Sequence, residues 1–346
     1  MLLFSFLLVV LSCQKDNNID PIGAEIEPTL ESLLKRGFTM NNIIDKGKYY
    51  VVEGDMVFQK KPSINNKRAK LNQLALDEGL FPTLDLIDDI RVYVESFPNT
   101  TWENKVIDAT NDAIDEWNSI PNCKINFVYT TNSNDADITV FYDSSLPSTT
   151  WAETSTPPGC YVGPELRLNS STEGFSADQL HFLLTHELGH SIGFMHTDGQ
   201  QNDSPTFQIP ETPTSDSQSV MNSGTGQSSP PSWSVDFPNG FSTGDEDGAN
   251  FLYPNTIFIS AKNSPDGTSN TVLITWPPSF ACAPNVIVTI RDGITVVKNS
   301  GSITHRGFHR FTATNLQSNH FYKLTVSDAS NPSVKIERSN AIILFL

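Results

Sequence analysis

One short stretch constrains this chain more than any other: His186–His196 reads His-Glu-Leu-Gly-His-Ser-Ile-Gly-Phe-Met-His. On a helix, His186 and His190 lie one turn apart on the same face, where both rings can bind one metal ion. Gly193 can adopt a backbone conformation that is closed to other residues, so it can end the helix and turn the chain back. That turn allows His196 to supply a third ring nitrogen to the same ion.

The donor set indicates which metal this site would bind. Three neutral imidazoles favour zinc, and three protein ligands leave a position open for water, whereas a structural zinc site is closed by a fourth protein ligand. Glu187 follows the first ligand, so its carboxylate can reach water on the ion without binding the ion itself. The alternative is a helix with solvent-facing histidines, but a chance match to the five fixed positions is on the order of one in 10⁵ for a chain of this length. The motif therefore predicts one catalytic Zn2+ site with Glu187 as its base.

The same stretch resembles a known group of enzymes. His186–Asp198 resembles the metzincin metallopeptidases and is most similar to the bacterial branch that is named for its HEIGH motif, the dual-action HEIGH metallopeptidases. Leu188 stands where that branch usually has isoleucine. The resemblance implies a zinc endopeptidase that acts on protein or peptide substrates, with the three histidines as ligands and Glu187 as general base.

The resemblance also implies a Met-turn beneath the zinc site. Ser219–Ser223 lies downstream of the motif and reads Ser-Val-Met-Asn-Ser, so Met221 is the candidate for this turn. A methionine side chain there would give the metal an apolar floor. Astacin-type members carry a tyrosine two residues after this methionine, whereas this chain has Ser223. We therefore do not expect a tyrosine to assist the reaction from this place.

The chain around the motif has the element order of a metzincin catalytic domain, which is strand, helix, three strands, helix. Alternating apolar and polar residues favour the strands, and capping boxes mark the starts of both helices. We expect an α+β fold in which a twisted mixed sheet and two main helices form a zinc cleft, over residues 86–255. The predicted elements are strands at 90–94, 125–131 and 136–142 and helices opened by Thr100/Glu103 and Ser176/Gln179. Residues 151–168 are rich in loop signals, and the resemblance implies that they contain the edge strand of the substrate cleft.

A segment upstream of this domain has the properties of a blocking group. Tyr49–Phe58 alternates like an extended chain and contains Glu53-Gly54-Asp55, which resembles the aspartate switch of astacin-type propeptides. Aspartate is an acceptable zinc ligand, so Asp55 is a candidate zymogen switch within a propeptide-like or stalk region, 13–85. The alternative is an ordinary turn between two strands. We expect Glu53 to matter less, because it would point to the other side of the extended segment.

The N-terminus predicts attachment to a membrane. Leu2–Leu11 is one apolar run, too short to span a bilayer and suited to the core of a signal peptide over residues 1–12. Cys13 follows a small residue in a pattern that resembles the bacterial lipobox, which implies a lipid on Cys13. We therefore expect an outer-membrane lipoprotein of the cell envelope, with surface exposure as a further expectation. The alternative is an ordinary secretory signal with a chance cysteine.

Composition restricts the partners further. The formal net charge of −17 argues against nucleic acids and anionic membrane surfaces as partners.

Four cysteines are too few for a disulfide-built scaffold, although Cys123 and Cys160 could pair and leave Cys282 odd. The acidic run Asp245–Asp247 could suggest a structural Ca2+, but a solvated acidic helix start is the favoured interpretation. We expect a monomer.

Residues 256–346 have a different character. Short β-rich runs recur there, and Asp292-Gly293 is a strong hairpin signal. Trp276, Leu316 and Tyr322 resemble the core pattern of fibronectin type III domains, although the usual proline between the last two is absent. This resemblance implies an all-β sandwich that serves as a spacer or binding module.

Two other functions stay open at this point. One is a catalytically silent adhesion or binding lipoprotein built on a metzincin fold. The intact Glu187 argues against it, because an inactive zinc binder has little need of a base at that offset. The other is a zinc hydrolase that acts on a small molecule, which a closed pocket would favour and an elongated cleft would oppose.

Overall fold

The computed structural model describes residues 27–60, 87, 89–159, 161–198, 209, 212–213, 216–223, 240–255, 258–263, 270–276, 285–304, 309–314, 316, 320–333 and 335–343. The predicted signal run, Cys13, Cys160 and Cys282 lie outside the described residues. Cys123 is a free thiol whose Sγ lies 3.7 Å from the carbonyl oxygen of Ala249. Among the described residues, no helix is both long enough and apolar enough to cross a bilayer.

Residues 27–60 form a small unit with an apolar core of its own. The helix presents Leu33 to this core, and the strands contribute Tyr50, Val52, Met56 and Phe58. The segment 49–58, predicted as one extended run, is two antiparallel strands joined by a turn. The elements of this unit are α1 (Pro28–Lys35), β1 (Ile43–Asp45), β2 (Tyr49–Val52) and β3 (Met56–Gln59).

The next part of the chain contains the predicted strands and helices. The strand at 90–94 has the predicted bounds, the strands predicted at 125–131 and 136–142 are shorter, and 151–168 contains two strands where one was expected. This part consists of β4 (Ile90–Val94), α2 (Thr100–Asn118), β5 (Phe127–Tyr129), β6 (Ile138–Tyr142), β7 (Ala152–Ser155), β8 (Glu165–Leu168), α3 (Ala177–Ser191) and α4 (Thr243–Leu252). Short 3-10 turns cover Met40–Asn42 and Ser170–Gly174. The predicted α+β class is confirmed.

One mixed sheet of eight strands joins these two parts, in the order β1-β2-β3-β7-β8-β6-β4-β5. Strand β7 is antiparallel to β8, while β8, β6, β4 and β5 are parallel neighbours. Strand β3 pairs with β7 in parallel, with Met56 opposite Thr154 and Val57 opposite Ser155. The N-terminal unit therefore covers the backbone groups that β7 would otherwise present as a sheet edge.

Helix α2 packs its apolar stripe against α3 and β5. The members of this stripe recur at helical spacing and are buried: Trp102, Val106, Ala109, Ala113 and Trp117. The predicted capping box is wrong, because Asn99 is the N-cap and Thr100 is already helical. The Asn99 side chain accepts from the first backbone N–H groups of the helix, and asparagine caps at least as well as threonine.

The C-terminal region contains two antiparallel sheets, one of three strands and one of four. Val286, Val288, Leu324 and Val326 are fully buried on their strands. The predicted Asp292-Gly293 turn joins the first two strands of the larger sheet. The all-β character is confirmed, and the resemblance to fibronectin type III domains stays a prediction. The strands are β9 (Phe258–Asn263), β10 (Asn270–Trp276), β11 (Asn285–Asp292), β12 (Thr295–Thr304), β13 (His309–Thr314), β14 (His320–Asp328) and β15 (Lys335–Ile343).

Candidate metal centre

Helix α3 carries two of the three candidate ligands into the interior. Its start has the predicted capping box, in which Ser176 Oγ accepts from Gln179 N and Gln179 Oε1 accepts from Ser176 N. The rest of the helix packs on α2, β7 and β8. His186 and His190 are consequently only 4% and 0% exposed, so both rings are shielded from water.

The third candidate ligand arrives through the turn that follows α3. Gly193 has a φ of 101°, in the left-handed region that favours glycine, and the chain reverses there as predicted. His196 thereby reaches the face of the helix that carries the other two rings. The Nε2 atom of His190 lies 2.9 Å from that of His186 and 3.2 Å from that of His196. The structure therefore brings the three predicted ligands together.

The opposite ring nitrogen of each histidine is held by an oxygen acceptor. His186 Nδ1 lies 2.7 Å from the carbonyl oxygen of Val220, and His190 Nδ1 lies 2.8 Å from the carbonyl oxygen four residues further on. His196 Nδ1 lies 3.1 Å from Oε2 of Glu53. A hydrogen on each Nδ1 would satisfy these acceptors and leave the Nε2 lone pairs directed at one point, as the outer partners of metal-binding histidines do.

Asp55 adds a carboxylate to the three rings. Its Oδ2 lies 3.1 Å from His196 Nε2 and 3.7 Å from His186 Nε2, and its Oδ1 lies 3.8 Å from His190 Nε2. One possible ligand atom from each of these four side chains lies within 4.8 Å of the others.

This donor set fits zinc. Tetrahedral zinc, with bonds of about 2.0–2.1 Å, separates its ligand atoms by roughly 3.3 Å. The separations between the ring nitrogens, 2.9 Å and 3.2 Å, are close to that value. Three imidazoles with one carboxylate are also ligand types that zinc accepts.

Burial and mutual contacts determine the charges in this group. Burial, helped by the neighbouring His186, holds the pKa of His190 well below its ordinary value, so this ring is neutral. Burial disfavours the charged form of His196, but the charge of Asp55 and hydrogen bonds with Asp55 and Glu53 outweigh it and raise the pKa of His196 to about 10. Burial disfavours the charged form of Asp55 too, yet His196 and His186 bring its pKa well below the ordinary value. A zinc ion would replace the proton on His196, since metal ligands must be deprotonated.

Glu187 lies beside this group and is 1% exposed. Thr154 on β7 donates a hydrogen bond from Oγ1 to Glu187 Oε2 at 2.6 Å. Burial, and next the negative charge of Asp55, raise the pKa of Glu187 well above its ordinary value, while the hydrogen bond from Thr154 opposes this rise. A carboxyl group with a raised pKa beside a metal site is suited to proton transfer near neutral pH.

Met221 lies against the backbone of α3, between the first two histidines of the motif, and is 1% exposed. A Cβ atom added to Gly189 would lie 2.5 Å from the Met221 sulfur and 3.2 Å from the Trp117 ring. The sequence offered no reason for glycine at this position of the motif. The structure gives one, because any side chain on Gly189 would displace the methionine.

The start of α4 holds the Met-turn in place. Asp245 accepts from Ser219 Oγ at 2.5 Å and from Val220 N at 2.9 Å, and the Val220 carbonyl in turn holds His186. Asp245 is 6% exposed, so the interpretation as a solvated helix start is wrong for this residue, although it holds for the exposed Asp247. Sequence reasoning missed this role, because burial of Asp245 depends on the turn that it contacts.

Glu53 and Asp55 both belong to the turn between β2 and β3. The φ angles of Glu53 and Gly54 are 53° and 101°, so the backbone is not extended there. The expectation that Glu53 points away is therefore wrong, since its carboxylate contacts His196. The segment is a turn between strands, as the alternative held, and this turn also directs two carboxylates at the histidines.

Comparison with known sequences gives one family. The profile described as dual-action HEIGH metallopeptidase matches residues 63–236, which is half of the 346-residue chain. No curated protein matches the sequence.

Similar solved structures include myroilysin, with 15% identity over 50% of this chain and 95% of that chain and a TM-score of 0.32. Another is high choriolytic enzyme 1, a hatching enzyme zinc-protease from the medaka fish Oryzias latipes. It has 16% identity over 52% of this chain and 96% of that chain, with a TM-score of 0.32.

Proposed function

The chain belongs to the dual-action HEIGH metallopeptidases and is a zinc metallopeptidase, and we propose that it is an endopeptidase whose zinc is held by His186, His190 and His196. The observation that carries this proposal is the convergence of three buried Nε2 atoms at 2.9 Å and 3.2 Å beside the carboxylate of Glu187. Glu187 is the general base, and the Met221 side chain packs against α3 between the first two histidines.

Zinc, when bound, polarises the scissile carbonyl and lowers the pKa of nearby water towards about 7. Glu187 accepts a proton from that water and then passes it to the leaving amine. The carbonyl partners on Nδ1 keep the rings of His186 and His190 in the orientation that directs Nε2 inwards. The buried Met221 side chain packs against Gly189 of α3 and excludes water from that side of the site.

The substrate is proposed to bind as an extended peptide along β7. Support comes from β3, which already occupies this edge and accepts hydrogen bonds from it. Thr154 N donates to the carbonyl oxygen of Asp55 at 2.8 Å, and Thr156 N donates to that of Val57 at 2.9 Å. A strand edge that binds backbone favours peptides over small molecules, because every residue of a peptide offers the same hydrogen-bonding groups.

The proposal is tested by cleavage of a peptide library with the purified full-length chain and with its Asp55→Ala variant, before and after chelation of the metal. We expect internal peptide bonds to be cut, cleavage to stop on chelation and activity to return with Zn2+. His190→Ala is expected to lose both zinc and cleavage. Release of single residues from peptide ends alone would exclude an endopeptidase, and cleavage that survives complete removal of zinc would exclude the mechanism.

We further propose that the N-terminal unit keeps the enzyme latent through Asp55. Its carboxylate lies beside all three candidate ligands, with Oδ2 3.1 Å from His196 Nε2, where it would occupy the position that water needs. Glu53 contacts the other nitrogen of the same ring. Glu53 also has a φ of 53°, which costs roughly 1–2 kcal/mol in a residue other than glycine, and its contact with His196 offsets part of that cost.

Additional contacts hold the N-terminal unit over the proposed zinc cleft. Its apolar core packs against Met195 of the motif, and its strand β3 pairs with β7. A ligand that is tethered in this way has a high effective concentration at the metal. Cutting the chain between Asp55 and residue 86 would remove the tether, so proteolysis in that stretch is the proposed activation step.

Further proposals concern regions outside the catalytic domain and the oligomeric state. The run Leu2–Leu11 and the small residue before Cys13 support a lipid anchor in the outer membrane. We also propose that the protein acts as a monomer. Two antiparallel sheets of three and four strands support a fibronectin type III-like sandwich over 256–346, as a spacer or binding module.

A further inference from the structure

We infer that Thr154 is a positioning residue for the general base, and this inference rests on the proposed role of Glu187. Its hydroxyl donates to Glu187 Oε2 at 2.6 Å, at the short end of the range for O–H···O hydrogen bonds. Thr154 and Glu187 come from different elements, β7 and α3, which are 33 residues apart in sequence. The bond therefore fixes the base relative to the strand proposed to bind the substrate.

Burial makes this hydrogen bond significant. Thr154 is 0% exposed and Glu187 is 1% exposed, so water cannot easily replace either partner. If a buried carboxylate loses a hydrogen-bond donor, the oxygen left without that donor costs free energy, because it has been removed from water without a replacement partner. Threonine also restricts the hydroxyl, because a β-branched side chain in a strand has few χ1 rotamers. The carboxylate is thus held in one orientation instead of several.

The backbone of the same residue touches whatever peptide lies on β7. In this structure Thr154 N donates to the carbonyl oxygen of Asp55 at 2.8 Å, while its side chain holds Glu187. One residue therefore contacts the bound peptide through its backbone and the base through its hydroxyl. We infer that this arrangement sets the distance between the base and the peptide bond to be cut.

The test is Thr154→Val, which removes the hydroxyl and keeps the shape. Because outer-shell partners typically contribute about 10- to 100-fold, we expect kcat to fall by that factor with little change in KM. Thr154→Ser should restore most of the rate, since it returns the donor. Thr110→Val is the matched control. Thr110 is also 0% exposed, but its hydroxyl donates a hydrogen bond within α2, to the carbonyl oxygen of Val106. The kcat of Thr110→Val should therefore match that of the parent chain.

All variants are made in the full-length chain and in the full-length Asp55→Ala chain, and zinc content is measured beside kcat and KM. The inference is overturned if Thr154→Val keeps the parental kcat, if Thr154→Ser is as slow as Thr154→Val, or if Thr154→Val loses its zinc. If neither parent cleaves peptides, the proposed function itself fails. If the parents cleave and Thr154→Val does so equally well, only the role of Thr154 fails.

Discussion

Two of the three candidate zinc ligands, His186 and His196, contact an oxygen atom that lies outside the motif which identifies the site. Helical periodicity and one glycine determine that His186, His190 and His196 meet, so their spacing predicts the convergence. The acceptors cannot be predicted in this way. Val220 lies on a turn 34 residues after His186, and Glu53 belongs to the N-terminal unit, so their contacts exist only once these segments pack against the end of α3.

Asp245 provides a prediction at this scale. Asp245→Ala removes the acceptor of the Ser219 hydroxyl and of Val220 N. Unpaired buried donors cost about 1–3 kcal/mol, so we expect the free energy of unfolding to fall by roughly that amount. Because the Val220 carbonyl orients His186, zinc affinity should also fall by about 10-fold or more.

Denaturant unfolding and competition with a zinc chelator measure the two effects. Asp247→Ala is the matched control, since Asp247 belongs to the same acidic run but is exposed. Equal stability and zinc affinity in both variants would show that Asp245 does not hold the Met-turn.

Glu53 illustrates where reasoning from the sequence failed at single residues. Alternation along 49–58 favours extended chain, and in extended chain Glu53 would face away from the cleft. The positive φ at Glu53 instead turns the side chain to His196. Such a conformation is uncommon for residues other than glycine, so residue type alone could not predict it.

The hairpin of β2 and β3 is the element on which the proposed latency depends. We expect the uncut Asp55→Ala chain to cleave a peptide faster than the uncut wild type, by roughly 10- to 100-fold, because a tethered ligand no longer competes with water. Glu53→Ala should also accelerate cleavage, although less, because Glu53 contacts His196 through the nitrogen that does not face the metal.

Initial rates of the uncut chains provide the measurement. Asp45→Ala serves as control, since Asp45 lies in the same unit but pairs with Lys60 at the surface and its side chain is 58% exposed; surface pairs of this kind contribute little. Identical rates for wild type, Asp55→Ala and Glu53→Ala would indicate that the unit is a stalk or folding aid.

The longer elements could be predicted because their periodicity is sustained. The buried stripe of α2 and the capped start of α3 follow from apolar spacing and capping chemistry. The sequence did not predict strands β1 and β9. Strand β1 has only three residues, which is too few to show an alternation of apolar and polar side chains, and the second half of β9 is predominantly polar. The pairing of β3 with β7 could not be predicted either, since register across distant strands depends on packing.

At the scale of the whole molecule, the proposed lipid on Cys13 would tie the enzyme to a membrane. Replacing Cys13 by Ala should move the protein to the soluble fraction or leave the signal peptide attached, because lipidation requires the thiol. Detergent-dependent fractionation and the mass of the N-terminal peptide measure this. A Cys13→Ala chain that still fractionates with membranes would contradict the lipid anchor.

The proposed catalytic role of Glu187 beside a zinc bound by the three histidines is tested most directly by the initial cleavage rate of the full-length Asp55→Ala chain against the same chain carrying Glu187→Gln, with zinc measured in both. General bases contribute about 10²- to 10⁴-fold, so the Glu187→Gln chain should be slower by that factor while keeping one zinc per chain. Equal rates in two chains that both contain zinc would contradict the assignment of Glu187 as the base.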